Sequence, residues 1–175
     1  MRACALEATL LLFAVVACTE SRTLARSAVP DATSGSTAPN PRALVIFETG
    51  KGEVPIKVEV VDREEARNRG LMYRRTLPPD EGMLFLFPEE AVHSFWMRNT
   101  YLPLDLIFIN GRMEVVGVVE NATPLTDTPR MVWKPSRYAV EVNAHLARVA
   151  GIREGTRVRF EGVDSPLFGG MGKTR

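Results

Sequence analysis

The chain has 175 residues, of which 45% are hydrophobic and 25% charged, and its formal net charge at pH 7 is +1. This composition is typical of a globular protein with one domain and short appendages. A net charge so close to zero argues against a field strong enough to gather nucleic acid or anionic lipid.

The N-terminus carries an export signal with a cysteine at its end. An apolar run at residues 8–17 is too short to span a bilayer but suits the core of a signal peptide. The run ends in the sequence VVAC, which resembles the lipobox of bacterial lipoproteins and implies that Cys18 is lipidated after cleavage. An ordinary secretory signal with a coincidental cysteine is the alternative. The other cysteine is Cys4, so no disulfide or thiolate site is possible after Cys18.

The segment that follows is rich in Ser, Thr, Ala and Pro and poor in aromatic residues. It cannot bury enough apolar surface to offset the entropy of ordering it. We therefore predict a signal peptide at 1–18, a flexible tether at 19–42, a folded domain at 43–162 and a loose tail at 163–175. The domain would be lipid-anchored at the bacterial cell envelope and would face the periplasm or the exterior.

Short apolar runs between turn residues predict a mainly β domain with a minor α component. Asp62 and Asn143 are predicted to cap two helices, and Asn110-Gly111 is a signal for a tight hairpin. The frequent turns favour a compact, antiparallel, barrel-like domain, closed or half-closed, over a parallel α/β sheet. Strands are predicted at 43–48, 53–61, 83–87, 92–98, 104–109, 112–119, 138–142 and 156–161, and short helices at 63–69 and 144–150.

Several motifs in this order resemble the domain of unknown function 192 family. They are RGLMYR at 69–74, LPPDEGMLFLF at 77–87, FWMRNTYLPLDLIFI at 95–109, YAVEVNA at 138–144 and GIREGTRV at 151–158. The resemblance covers roughly residues 43 to 162, with Arg98 where lysine is common. It implies a compact, β-rich, frequently exported protein, in some members a lipoprotein, and it implies no established reaction.

Three acids lie in or beside apolar strands and are candidates for general acid or base catalysis: Asp105, Glu81 and Glu141. A buried acid needs a partner, and one with a raised pKa could transfer protons. The alternative is that an arginine or backbone amides satisfy each acid structurally.

A second group suits ligand binding. Trp96 offers an aromatic platform, and Asn99, near Asp105, offers hydrogen bonds to a polar ligand such as a sugar or a peptide end. Arg69 and Asn143 complete the candidate binding residues. Packing of the Trp96 ring into the core is the alternative. The two histidines are far apart and lack ligand spacing, so we predict no metal site and no cofactor.

Three functions remain open. The first is a non-catalytic, ligand- or partner-binding accessory module of the envelope, without nucleic acid as a partner. The second is a carboxylate-based hydrolase acting on an envelope polymer, with Asp105 and either Glu81 or Glu141 as its acid pair. In the third, the motifs only specify the fold, and the loop at 121–135 is the working surface.

Overall fold

The computed structural model of the protein describes residues 43–168. The predicted signal peptide, its lipidation site and the tether lie outside the described residues, as does the end of the tail. The described elements are β1 (Leu44–Thr49), β2 (Gly52–Val61), α1 (Glu64–Arg69), β3 (Glu81–Ala91), β4 (Leu104–Ile109), β5 (Val115–Ala122), β6 (Ser136–Asn143), α2 (Leu146–Ala150) and β7 (Arg157–Glu161).

The strands form one sheet in the order β5-β4-β6-β3-β2-β1-β7. Neighbouring strands are antiparallel except β2 and β3, which run parallel and are joined through α1. The sheet curls into a half-barrel, and its two edge strands approach each other at a single described bridge between Glu114 and Arg157. A mainly β, barrel-like domain with two short helices is therefore confirmed, and the barrel is half-closed.

Each face of the sheet carries its own apolar core. The inner core draws on all seven strands and includes Phe47, Val58 and Val140. The outer core is smaller and includes Met83, Phe85 and Leu106. Because side chains alternate between faces along a strand, the register assigns each residue of β3, β4 and β6 to one of these cores.

The prediction of a strand at 92–98 is wrong. Both β3 and β4 pair with β6, which lies between them, so the chain from β3 to β4 must cross over β6. It crosses on the outer face, where Phe95 packs against Phe85 and Phe108 and Met97 is buried. Its backbone pairs with the loop after β5, through Phe95 N–H and the Arg130 carbonyl oxygen at 2.9 Å. We call residues 92–103 the crossing segment.

The hairpin predicted at Asn110-Gly111 exists, but its turn is longer than two residues. Ile109 pairs with Val115, so the loop comprises residues 110–114. The Asn110 side chain holds this loop, because its oxygen accepts hydrogen bonds from the backbone N–H groups of Arg112 and Glu114, both at 3.0 Å. Asparagine therefore acts here through its side chain.

Neither predicted helix cap is confirmed. Asp62 lies one residue before Arg63, the N-cap of α1, and its carboxylate accepts a hydrogen bond from the Ser165 hydroxyl at 2.7 Å. The second helix begins at Leu146, with His145 at its N-cap, so Asn143 does not cap it either.

The Ser165 contact also corrects the predicted tail. Residues 163–168 pack on the domain, with Phe168 against the rings of Tyr138 and Phe160. Neither helix in residues 43–168 is long and apolar enough to cross a membrane.

Candidate ligand-binding site

Glu141 lies in the middle strand of the outer face. In β6 it is opposite Met83 of β3 and Leu106 of β4, both members of the outer core. Its side chain is only 6% exposed. The sequence YAVEV thus places one acid where the alternation would otherwise place an apolar residue.

The Glu141 carboxyl group is not fully satisfied. Burial raises its pKa from 4.5 to about 8, although a hydrogen bond to the Leu71 backbone and the charge of Arg74 act in the opposite direction. Its Oε2 atom is buried and has no hydrogen-bond partner. Because the great majority of buried polar atoms are hydrogen-bonded, an orphaned carboxyl oxygen in a native fold requires an explanation.

A cavity of about 130 Å³ next to Glu141 explains the unpaired carboxyl oxygen. Its floor holds Glu141 and Phe85, and its walls come from the end of α1 and from the crossing segment, including Phe95 and Trp96. A cavity of about 150 Å³ can hold a benzene molecule, so this space fits one small group of a ligand.

Gly70 keeps the space above the carboxyl group open. Its φ is +47°, and a Cβ there would lie 3.3 Å from Phe85 Cζ and 3.5 Å from Glu141 Oε2. A larger residue would be strained and would fill the cavity. Gly70 directly follows the helix predicted at 63–69, and nothing in the sequence linked it to Glu141.

The mouth of the cavity is aromatic and basic. Trp96, which is 45% exposed, lines the mouth, and the Arg98 guanidinium lies 4.9 Å from its ring centre. Arg98 is held in turn by Asp127, with Nε and Oδ1 2.8 Å apart. Arg69 also lines the cavity. The structure thus brings Trp96, Arg69 and Glu141 of the predicted set into one site.

A surface that we call the shelf comprises Tyr73, Asn99, Tyr101 and Leu125. It adjoins the cavity, because Met72 and Thr100, the chain neighbours of three of these residues, line the cavity. The Tyr73 N–H donates to the Asn99 carbonyl oxygen at 2.8 Å, and the Asn99 side-chain amide donates to the Tyr73 hydroxyl at 2.8 Å. Asn99 therefore uses part of its hydrogen-bonding capacity within the shelf, and only the rest is available to a ligand. Tyr73 and Leu125 were missed by sequence reasoning, since exposed residues of irregular loops show no periodicity.

Asp105 does not belong to this site. Leu106 shares the face of Glu141, so Asp105 points to the opposite side of the sheet. Its buried carboxylate accepts backbone hydrogen bonds from Asn121 at 2.8 Å, His145 at 3.1 Å and Ala147 at 2.9 Å. It thus supplies the cap that α2 lacks, and the structural alternative accounts for this acid.

The remaining predicted residues also lie outside the cavity. Asn143 donates its side-chain amide to the carbonyl oxygens of Leu77 and Pro78, at 3.1 and 3.0 Å, and so holds that turn. Glu81 begins β3, beside Lys57 of β2, and does not line the cavity. Within residues 43–168, no group of three or more potential ligand side chains could hold a metal ion.

A second, more open groove of about 410 Å³ lies beside Trp133 of the 121–135 loop. Its charged residues include Lys134 and Glu154, which pair with each other. Because none of its lining residues carries an orphaned buried polar atom, the groove is a weaker candidate than the smaller cavity at Glu141.

Two proteins of solved structure are similar to this chain in sequence and in fold. A protein of unknown function from Novosphingobium aromaticivorans DSM 12444 is 34% identical, with a TM-score of 0.65, over 66% of this chain and 83% of that one. A "putative transcription regulator" from Sinorhizobium meliloti 1021 is 36% identical, with a TM-score of 0.66, over 70% of this chain and 95% of that one. The search of curated proteins gave no match. The profile of the domain of unknown function 192 family, described as "Uncharacterized ACR", matches residues 45–160, and the chain belongs to that family.

Proposed function

We propose that this protein is a non-catalytic binding module that takes a small ligand group into the cavity at Glu141. The observation that carries the proposal is that Glu141, whose buried Oε2 atom has no hydrogen-bond partner, is one of the residues that line this space. Leaving a buried polar atom unpaired costs about 1–3 kcal/mol, and a ligand that donates to it or accepts from it recovers that free energy.

Binding has better support than hydrolysis. A glycosidase-type mechanism needs two carboxyl groups about 5 to 10 Å apart across one cleft. Glu141 is the sole carboxyl residue among those that line the cavity, because Asp105 is on the other face of the sheet and Glu81 does not line it. The candidate acid pairs are therefore not assembled around this space.

Nucleic-acid binding, which the name of the Sinorhizobium meliloti protein suggests for that protein, has little support from the composition of this chain. Its formal net charge of +1 provides no broad basic surface for a phosphate backbone.

A thermal-shift screen of the purified protein tests the binding proposal. The panel would contain sugars, muropeptides, amino acids and small organic acids. A ligand at a hundredfold excess over its Kd adds about 2.7 kcal/mol of stability, which is readily measured as a higher Tm. We expect a shift that Glu141→Gln largely preserves and Glu141→Leu abolishes, because only the first variant keeps polar atoms in the cavity.

Asp164→Asn is the matched control, since Asp164 is exposed, lies outside the lining of the cavity and forms no ion pair within residues 43–168. A ligand whose shift is unchanged in Glu141→Leu binds elsewhere and contradicts the proposed site. Turnover of any ligand by the wild type would contradict a non-catalytic function and support the hydrolase.

We further propose that the domain works at the cell envelope, tethered through a lipid on Cys18. The support is the VVAC sequence at the end of the apolar run at 8–17. Partition of the expressed protein into a detergent phase, with loss of that partition in Cys18→Ala, is the expected result. A Cys18→Ala protein that still partitions with detergent would rule out this anchor.

A further inference from the structure

The residues around the mouth of the cavity define the ligand more closely than the cavity alone. Four arginines and several aromatic rings lie on the cavity wall and the adjoining shelf. Arg98 lies over Trp96, and the Arg75 guanidinium lies 5.1 Å from the ring centre of Tyr101. Tyr73 is hydrogen-bonded to Asn99 of the crossing segment, two residues before Tyr101. The remaining arginines are Arg67 and Arg69, which line the cavity itself.

Besides Arg67, whose guanidinium donates to the carbonyl oxygens of Asp62 and Leu86, two of these arginines keep a positive charge without a carboxylate. Arg98 forms an ion pair with Asp127, but neither Arg69 nor Arg75 has an ion pair within residues 43–168. These two guanidinium groups, one at the cavity and one over the Tyr101 ring, favour an anionic ligand group, because a guanidinium binds a carboxylate or phosphate through paired hydrogen bonds.

The interior of the cavity favours a neutral group instead. A second anion beside Glu141 would be buried next to an acid that burial already holds protonated near neutral pH. A protonated carboxyl group donates one hydrogen bond and accepts others, and these complement a hydroxyl group. Thr100 also lines the cavity, and because its hydroxyl donates to the Arg98 carbonyl oxygen at 3.3 Å, its oxygen is left as an acceptor.

The shelf is held in a conformation that costs free energy. Tyr73, Asn99 and Leu125 have φ values of +65°, +55° and +57°. For side chains such as Tyr and Leu this left-handed conformation is unfavourable, and it persists only where the surrounding hydrogen bonds fix it. The contacts between Tyr73 and Asn99 and between Leu125 N–H and the Thr100 carbonyl oxygen do so here. The shelf is thus preorganised, and its exposed rings suit the apolar face of a sugar.

We propose that the cavity and the shelf together bind the end of an acidic saccharide. One sugar hydroxyl enters the cavity at Glu141, the sugar carboxylate pairs with Arg69, and the sugar ring lies against the aromatic rings of the mouth. This inference rests on the proposed binding function and adds the chemical class of the ligand.

Calorimetric titration with galacturonate, galactose and galactosamine tests the ligand class. The three sugars share most of their hydroxyl groups and differ in charge. We expect galacturonate to bind at least tenfold more tightly than galactose, and galactosamine to bind most weakly. The preference should shrink at high salt, because exposed charges are screened.

Variants of Arg69 distinguish the effect of its positive charge on binding from any structural effect of replacing the side chain. Arg69→Gln should reduce the affinity for galacturonate to that for galactose, whereas Arg69→Lys should keep most of the preference. Binding of galactosamine or galactose at least as tight as that of galacturonate overturns the inference. So does the absence of binding by all three sugars.

The two proposals fail separately. If another ligand of the thermal-shift panel binds and Glu141→Leu abolishes its binding, the binding function stands while the acidic saccharide is rejected. If galacturonate binds but Glu141→Leu leaves its affinity unchanged, the acid-binding surface exists, and the role of the cavity is rejected.

Discussion

At the scale of single residues, two buried acids of neighbouring strands have opposite roles. Asp105 accepts three backbone hydrogen bonds and holds β5 and α2 to β4. Glu141 keeps one oxygen unpaired in a cavity. The sequence showed both as acids among apolar residues and gave no means of telling them apart. The difference arises from the strand register, which places them on opposite faces of the sheet.

Glu141 makes stability depend on pH in an unusual direction. Its pKa is about 8 in the folded protein and near 4.5 when exposed, so between these values the folded state holds a proton that the unfolded state has released. The free energy of unfolding therefore falls as the pH rises through this window, by about 1.4 kcal/mol per pH unit from this group.

Urea unfolding of the wild type and Glu141→Gln between pH 4.5 and 9 measures this effect. The variant lacks the ionisation, so its advantage should grow with pH up to about 8 and then level off. Parallel curves for the two proteins would show that Glu141 ionises normally.

Asp105→Asn should destabilise the fold by about 2–4 kcal/mol. An amide offers one acceptor oxygen where the carboxylate offers two, and its NH₂ group would face a backbone N–H donor. Urea unfolding at pH 7 gives the loss directly, and Asp164→Asn, at an exposed residue, serves as its control. Equal stability of the two variants would show that the three hydrogen bonds of Asp105 are dispensable.

At the scale of elements, the pattern of apolar and turn residues correctly predicted those strands and turns that depend on nearby residues alone. The bounds of β4 were predicted to the residue, and the β4–β5 hairpin was predicted from Asn110-Gly111. The crossing segment was wrongly predicted as a strand, because His93 to Met97 has as many apolar residues as a strand. Only the insertion of β6 between β3 and β4 excludes it from the sheet, and that pairing links residues about 50 positions apart in sequence.

The floor of the cavity is formed where β3 and β6 approach each other closely. A Cβ on Gly82 would lie 2.5 Å from the Glu141 carbonyl oxygen, so the strands would have to separate. Gly82→Ala should lower the free energy of unfolding by about 3 kcal/mol, the upper end for overpacking.

Gly50→Ala is the matched control, because a Cβ there has no atom within 4 Å and its φ is not in the left-handed range. Thermal unfolding of both variants gives the comparison. A Gly82→Ala protein as stable as the control would show that the sheet accommodates the methyl group.

At the scale of the whole molecule, the half-barrel leaves its outer face to be covered by α1 and the crossing segment. This cover is incomplete over Glu141, and the cavity lies there. The mainly β class and the family were predictable because the motifs span most of residues 43–162. The site was predicted in part, through Trp96, Arg69 and Glu141. Gly70, Tyr73 and Phe95 lie next to these residues only because of contacts between segments that are distant in sequence. Local residue patterns do not predict such contacts.

The most direct test of a protonated, ligand-accessible Glu141 is carboxyl ¹³C NMR of the protein labelled at glutamate. The Glu141 resonance, assigned through Glu141→Gln, would be followed from pH 4 to 10. We expect its midpoint near pH 8, far above the usual range for glutamate. A bound ligand from the screen should also shift this resonance. A midpoint near 4.5 that no ligand alters would contradict both the buried protonated acid and the binding site built on it.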